Sequence, residues 1–137
     1  MTEDNKELIL FRLREAKEAL DDAKMLLEKT SYRASINRSY YSMFYSMICL
    51  AYSIGIETSK HAHVISTFDK EFVKSGKFTK ENSKWVHEAF KKRQESDYLD
   101  FKEVNLDEAE KIYFNAERFL SLVINYFHDT YSLFFQK

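Results

Sequence analysis

Proline is absent from the 137 residues, and glycine occurs only twice, at Gly55 and Gly76. With so few turn formers and no alternating β-branched runs between them, a sheet of short strands is excluded and long helices joined by short loops remain. The one cysteine, Cys49, has no internal disulfide partner and no second thiol at zinc-ligand spacing, so it reads as core filler. An excess of one charge is also missing. The 21 basic and 22 acidic residues leave a formal charge of −1, so no global field attracts nucleic acid or an anionic membrane, and any polyanion contact has to be local. The opening MTEDNKE is polar and acidic where a secretory signal is basic and then apolar, which makes the cytoplasm the expected location. There is no glycine-rich phosphate loop, no His/Asp/Glu set at metal-ligand spacing and no arguable Ser/His/Asp set, so neither metal nor cofactor is expected.

What the chain does have is one long uninterrupted stretch, residues 34–55, ASINRSYYSMFYSMICLAYSIG. At 100° per residue Ile36, Tyr40, Met43, Phe44, Met47, Leu50, Ala51 and Ile54 share a broad core-facing arc. Ser39, Ser42, Ser46, Cys49 and Ser53 form a strip of small side chains suited to close packing against another helix. Tyr41, Tyr45 and Tyr52 form a wing beside Arg38. The serines, tyrosines and arginine make the stretch a poor membrane span, so a buried bundle helix is expected.

The rest of the chain arranges itself around that helix. Asp4 and Glu7 resemble a capping box opening a first helix, whose face of Leu8, Ile9, Leu13, Ala16, Ala19, Leu20, Ala23, Leu26 and Leu27 runs to about Lys29. Arg12 falls inside this apolar face and reads as a snorkelling side chain. The short 29–31 turn brings the second helix back antiparallel, and Gly55 ends it. Thr58 or Ser59 caps a third helix aligning His61, Ile65, Phe68 and Phe72, with Gly76 beyond its end. His61 therefore points inward and His63 outward. Thr79 caps a fourth helix to about Tyr98, with Trp85, Val86, Ala89 and Phe90 on its apolar arc. Asn105 with Glu108 opens a fifth, with Ala109, Ile112, Tyr113, Ala116, Phe119, Leu120, Val123, Ile124 and Phe127 on one face and aromatic residues continuing to Phe135. The expectation is all-α: one domain spanning 1–137, an antiparallel up-and-down bundle of about five helices able to bury about two-thirds of its unfolded surface.

Three places carry possible chemistry. Arg93 and Asp97 sit within the apolar arc of the fourth helix, and a buried charge needs a partner. An i, i+4 pair with the arginine first is the weaker orientation, so a structural ion pair and a ligand site both stay open. Arg38 either lies exposed at the edge of the second helix or faces, with Tyr41, the same cleft as Arg93, where guanidinium groups beside aromatic rings suit phosphate and base recognition. His61 is either a hydrogen-bonded core residue or the one inward histidine available for acid–base work near neutral pH. His87 falls on the polar side of the fourth helix.

The string Ala34-x-x-Asn37-Arg38-Ser39-Tyr40-Tyr41-Ser42-Met43-Phe44, then Lys60-His61 with Phe68-x-x-x-Phe72-Val73-Lys74-x-Gly76, then Arg93-x-x-x-Asp97-Tyr98, resembles HEPN-domain proteins, in particular the small stand-alone group with an R-x-x-x-D-Y ending. The resemblance covers about residues 8 to 127. It implies a helical bundle that forms a homodimer, with Arg93 lining a cleft between subunits. It also implies binding of nucleotide or RNA, metal-independent ribonuclease or toxin activity, and a small nucleotidyltransferase antitoxin as partner. Other members of the family are nucleotide-binding or scaffolding modules. The ribonuclease motif of the family is arginine, four to six residues, then histidine. Here no histidine follows Arg93 until His128, so by this resemblance Arg93 would steady a charged phosphate and His61 would have to supply the base. Arg38, Tyr41, Asp97 and Tyr98 are the matching candidates for contact with nucleotide or RNA. Tyr98, following the motif, is the candidate acceptor for nucleotide addition by such a partner. The competing expectation is a non-catalytic interaction module with a structural Arg93–Asp97 pair and an aromatic C-terminus that recruits a partner.

Overall fold

The computed structural model describes residues 1–98 and 103–136, with the side chain of Tyr98 left out. Helix α1 covers Glu3–Glu28, α2 Tyr32–Ser53, α3 His61–Thr67, α4 Lys80–Tyr98 and α5 Leu106–Tyr131. Among the described residues there is no strand. Helix α2 touches every other helix, and the expected all-α bundle is what forms.

The pairing of α1 with α2 follows from the serine strip. Ser35, Ser39, Ser42, Ser46 and Cys49 are all fully buried. Two of them identify what they face: Ser35 Oγ donates to the Ala23 carbonyl at 2.8 Å and Cys49 Sγ–H to the Ile9 carbonyl at 3.6 Å. Residues advancing along α2 thus meet residues receding along α1, in antiparallel register. Ala16, Ala19 and Ala23 are buried on α1, so small side chains on both helices let the two backbones approach closely. Ser46 Oγ returns to the Ser42 carbonyl, whereas among the described residues the hydroxyls of Ser39 and Ser42 find no partner.

Helix ends follow local chemistry, with three departures from expectation. Thr79 and Asn82 cap α4 reciprocally, each side chain accepting from the other's amide at 3.1 and 2.9 Å. Asn105 caps α5 by accepting from the Glu108 amide. Gly55, at φ +83°, ends α2 in a Schellman turn in which the Ile56 amide bonds the Ala51 carbonyl and the Gly55 amide the Tyr52 carbonyl. The first departure is at α1, which starts earlier than the Asp4–Glu7 pattern suggests. Thr2 accepts from the Asn5 amide, leaving Glu3 and Asp4 in the first turn where the helix dipole favours them. Second, Ile54, expected on the core arc, is the C-cap of α2 and 39% exposed, because the turn carries it off the helical face. Third, the third helix is capped by neither Thr58 nor Ser59 but starts from Lys60, and it does not stay α-helical. From Phe68 to Val73 it widens to π winding, with the Lys74 amide reaching back five residues to the Asp69 carbonyl.

The core is one continuous cluster across all helices. Phe68, Phe72, Phe78 and Phe119 pack at centroid distances of 5.3–6.4 Å, Phe68 and Phe72 stacked and most of the other pairs edge to face, with Tyr126 closing the group. At the C-terminal end Leu133 is buried and Phe135 packs on the core, while Phe134 is 73% exposed with His128 against its ring. Arg12 lies half-buried with its guanidinium 2.6 Å from Glu15, as snorkelling requires. No helix among the described residues is long and apolar enough to cross a membrane.

Candidate functional site

Tyr41, on the middle of α2, is where the candidate residues meet. Both guanidinium groups lie against its ring, Arg38 with Cζ 5.0 Å and Arg93 with Cζ 5.4 Å from the centroid. Its third neighbour is the His61 ring, edge to face at 5.8 Å. The wing expected on α2 does not act as a unit, however. Tyr45 packs beside Tyr41, but Tyr52 stands three turns farther along and donates its hydroxyl to Asn5 on α1.

Arg93 is fixed in place but incompletely satisfied. Its side chain is only 16% exposed, and its Nε lies 2.9 Å from Asp97 Oδ2. That contact is an ion pair by distance, yet the Nε–H is not aimed at the carboxylate and has no aligned acceptor among the described residues. Nη2 reaches the Tyr41 hydroxyl only at 3.4 Å. The guanidinium also lies 5.8 Å from the Tyr40 ring. An aromatic seat with one oblique carboxylate leaves directed donor capacity for an anionic oxygen.

Arg38 carries the cleaner signal. Its Nε donates to Asn37 Oδ1 at 3.3 Å, and among the described residues no carboxylate pairs with it. With Asn37, Ala34, Leu26, Ser96 and Asp97 it lines an open cleft of about 490 Å³ between α2 and the last turns of α4. Arg33 holds that cleft together by donating to the Ser96 carbonyl, one of the α4 carbonyls left without an intrahelical partner.

His61 points inward, as its spacing to Ile65 and Phe68 implies. Its ring stacks on Phe44 at 4.2 Å and 12°, and Nδ1 lies 2.7 Å from the Tyr40 hydroxyl. Its pKa is lowered from the usual value, first by burial and then by the like charge of Arg93. Near neutral pH the ring is therefore uncharged.

The structure thus brings together Arg38, Tyr41, His61, Arg93 and Asp97. Tyr98 is the last residue of α4, and its side chain lies outside the described residues. Two residues escaped the sequence reading. Tyr40 sat on the core arc, and its signal was a polar tip on a buried ring, which needs a partner. Arg33 had no signal at all, because its partner is a backbone carbonyl 63 residues away. Elsewhere, a pocket of about 390 Å³ is walled by Leu8, Ile48, Tyr52 and Ile56 with Arg12 beside it, sharing no residue with the cleft. His87 is bonded to Asp69 at 2.6 Å, and Ser83 to the other oxygen of that carboxylate. Among the described residues no group of three or more His, Cys, Asp or Glu could hold a metal ion.

The five α-helices among the described residues, with the arginine and aromatic cluster between α2 and α4, define a helical domain class that comparison with known proteins identifies. The HEPN domain model matches residues 9–126, and the chain belongs to the HEPN family. A "UPF0332 protein" of Thermotoga maritima is 35% identical over 120 residues, 88% of this chain and 91% of its own length. Two proteins of Methanocaldococcus jannaschii are each 31% identical. The one named "Putative toxin MJ0142" matches 83% of this chain and 78% of its own length; the other, "Putative toxin MJ0605", matches 90% and 91%.

Proposed function

We propose that the protein is a toxin-like HEPN protein that binds nucleotide or RNA at the cluster of Arg38, Tyr41, His61, Arg93 and Asp97, beside the cleft between α2 and α4. The observation that carries this is Arg38: a guanidinium seated on a tyrosine ring, with no carboxylate partner among the described residues, beside an arginine whose Nε–H lacks an aligned acceptor. Such a pair offers bidentate donors to phosphate and a π face to a base. The toxin-like role draws on the names of the two archaeal relatives. We further propose a homodimer with the cleft near its interface, a small nucleotidyltransferase as antitoxin partner, and Tyr98 as the acceptor of nucleotide from it. In RNA cleavage Arg93 would steady the charged phosphate, with His61 beside it as the second candidate catalytic group.

The test is binding of adenosine 5′-monophosphate and of a short single-stranded RNA to the wild type, Arg38→Ala and Arg93→Ala, beside growth after expression with and without a nucleotidyltransferase encoded next to it. Weaker binding and relieved toxicity in both variants support the reading. Unchanged binding in both sinks it. A scaffold reading is favoured by a different observation, the 2.9 Å Arg93–Asp97 ion pair with Phe134 left exposed, and would appear as lost stability with binding intact.

A further inference from the structure

The Tyr40–His61 contact determines which ring nitrogen of His61 is left free beside Tyr41 and Arg93. Tyr40 is completely buried, and among the described residues its hydroxyl has one hydrogen-bond partner, His61 Nδ1 at 2.7 Å. A buried hydroxyl must place its proton on an acceptor. Burial and the adjacent Tyr41 hold the Tyr40 phenol well above its ordinary pKa, with Arg93 only partly opposing them, so the phenol keeps its proton. If Nδ1 carried a hydrogen, as in the other tautomer or in the imidazolium, the Tyr40 O–H would be left without an acceptor. The imidazolium is further disfavoured by burial and by Arg93. The penalty for one unmade buried hydrogen bond corresponds to a preference of about tenfold or more for the neutral ring with its proton on Nε2. Among the described residues Nε2 makes no hydrogen bond and is not one of the buried orphaned atoms, so it reaches solvent.

We propose that Tyr40 is a positioning residue that locks His61 as an Nε2–H donor beside Tyr41 and Arg93, at the proposed ligand site. His61 then hydrogen-bonds an anionic oxygen beside Arg93, and its only basic lone pair is consumed by Tyr40. The role follows from the proposed ligand site and deepens it: the site gains a neutral donor for phosphate oxygen, and His61 does not serve as the base for 2′-hydroxyl attack. A fixed neutral imidazole donating to developing negative charge is a known catalytic device.

Long-range ¹H–¹⁵N spectra of histidine- and arginine-labelled protein test this, with His61→Gln for assignment. In the wild type at neutral pH His61 is expected to show a protonated Nε2 and an unprotonated Nδ1. In Tyr40→Phe that preference relaxes to a mixture. A protonated Nδ1 in the wild type overturns the proposal, as does an unchanged tautomer in Tyr40→Phe; if Tyr40→Phe does not fold, the wild-type spectrum decides alone. Adenosine 5′-monophosphate and a short single-stranded RNA are then added. Shifts at both His61 Nε2 and Arg93 Nε support the donor role. A shift at Arg93 without one at His61 overturns this inference and leaves the ligand site standing, whereas no shift at either removes the site and the donor role together.

Discussion

Replacing Arg93 with alanine separates the two roles open to it, because the structure predicts different sizes for the two effects. The i, i+4 pair with Asp97 is worth about 0.3–0.5 kcal/mol, and each ring contact about 0.5–1 kcal/mol. Against this stands the cost of holding a guanidinium only 16% exposed with its Nε–H lacking an aligned acceptor, which the substitution relieves. The net loss of stability is about 1 kcal/mol, or about 3–5 °C in Tm for a chain of this size. A charge-assisted contact to phosphate contributes about 1.5–3 kcal/mol, so affinity for a short RNA should fall about tenfold to a hundredfold. Fluorescence anisotropy and thermal denaturation on the same samples read both quantities. A Tm loss beyond about 8 °C with unchanged affinity would show that Arg93 is a structural residue and the ligand argument wrong.

Arg38→Gln should leave Tm within about 1 °C, since no carboxylate is orphaned, yet lower the slope of log affinity against log salt by about 0.7, one phosphate contact to a single strand; an unchanged slope would show that Arg38 touches no phosphate. Thr30 holds a left-handed conformation at φ +62° in the α1–α2 turn, so Thr30→Gly should raise stability by about 0.5–1 kcal/mol in urea titration. Ser46→Leu forces bulk into the α1–α2 seam and should cost at least about 1–3 kcal/mol in the same assay. His61 has a lowered pKa in the fold, so the unfolded chain takes up its proton first. Its contribution to stability is complete above the unfolded value of about 6.5 and lost as pH falls below it. His61→Gln should flatten the decline in stability between about pH 6.5 and 5, and an equally steep decline would place the responsible proton elsewhere.

The bundle was legible in the sequence because its signals are local. Gly55 reaches a positive φ without the strain a side chain would bring, Thr79 and Asn105 cap within three residues of themselves, and the α2 arc repeats at helical spacing. Even the inward turn of His61 could be read from Ile65 and Phe68. Where the reading slipped, a competing local bond decided, as when Thr2 in place of Asp4 capped α1 by taking the free Asn5 amide. The π winding after Thr67 left no pattern, because it changes spacing by one residue within an apolar run. The site was half legible. Arg93 and Asp97 drew notice as charges on an apolar arc, whereas the Tyr40–His61 bond and the Arg33–Ser96 tether join residues 21 and 63 positions apart, and only tertiary packing sets such partners.

The central claim is that the surface around Tyr41 is where nucleotide or RNA binds. An amide shift titration of the wild-type protein with a short single-stranded RNA tests it most directly. The expected result is saturable shifts centred on Asn37, Arg38, Tyr41, His61, Arg93 and Asp97. Shifts confined to the Arg12 pocket, or none at concentrations that saturate the RNA, would contradict it.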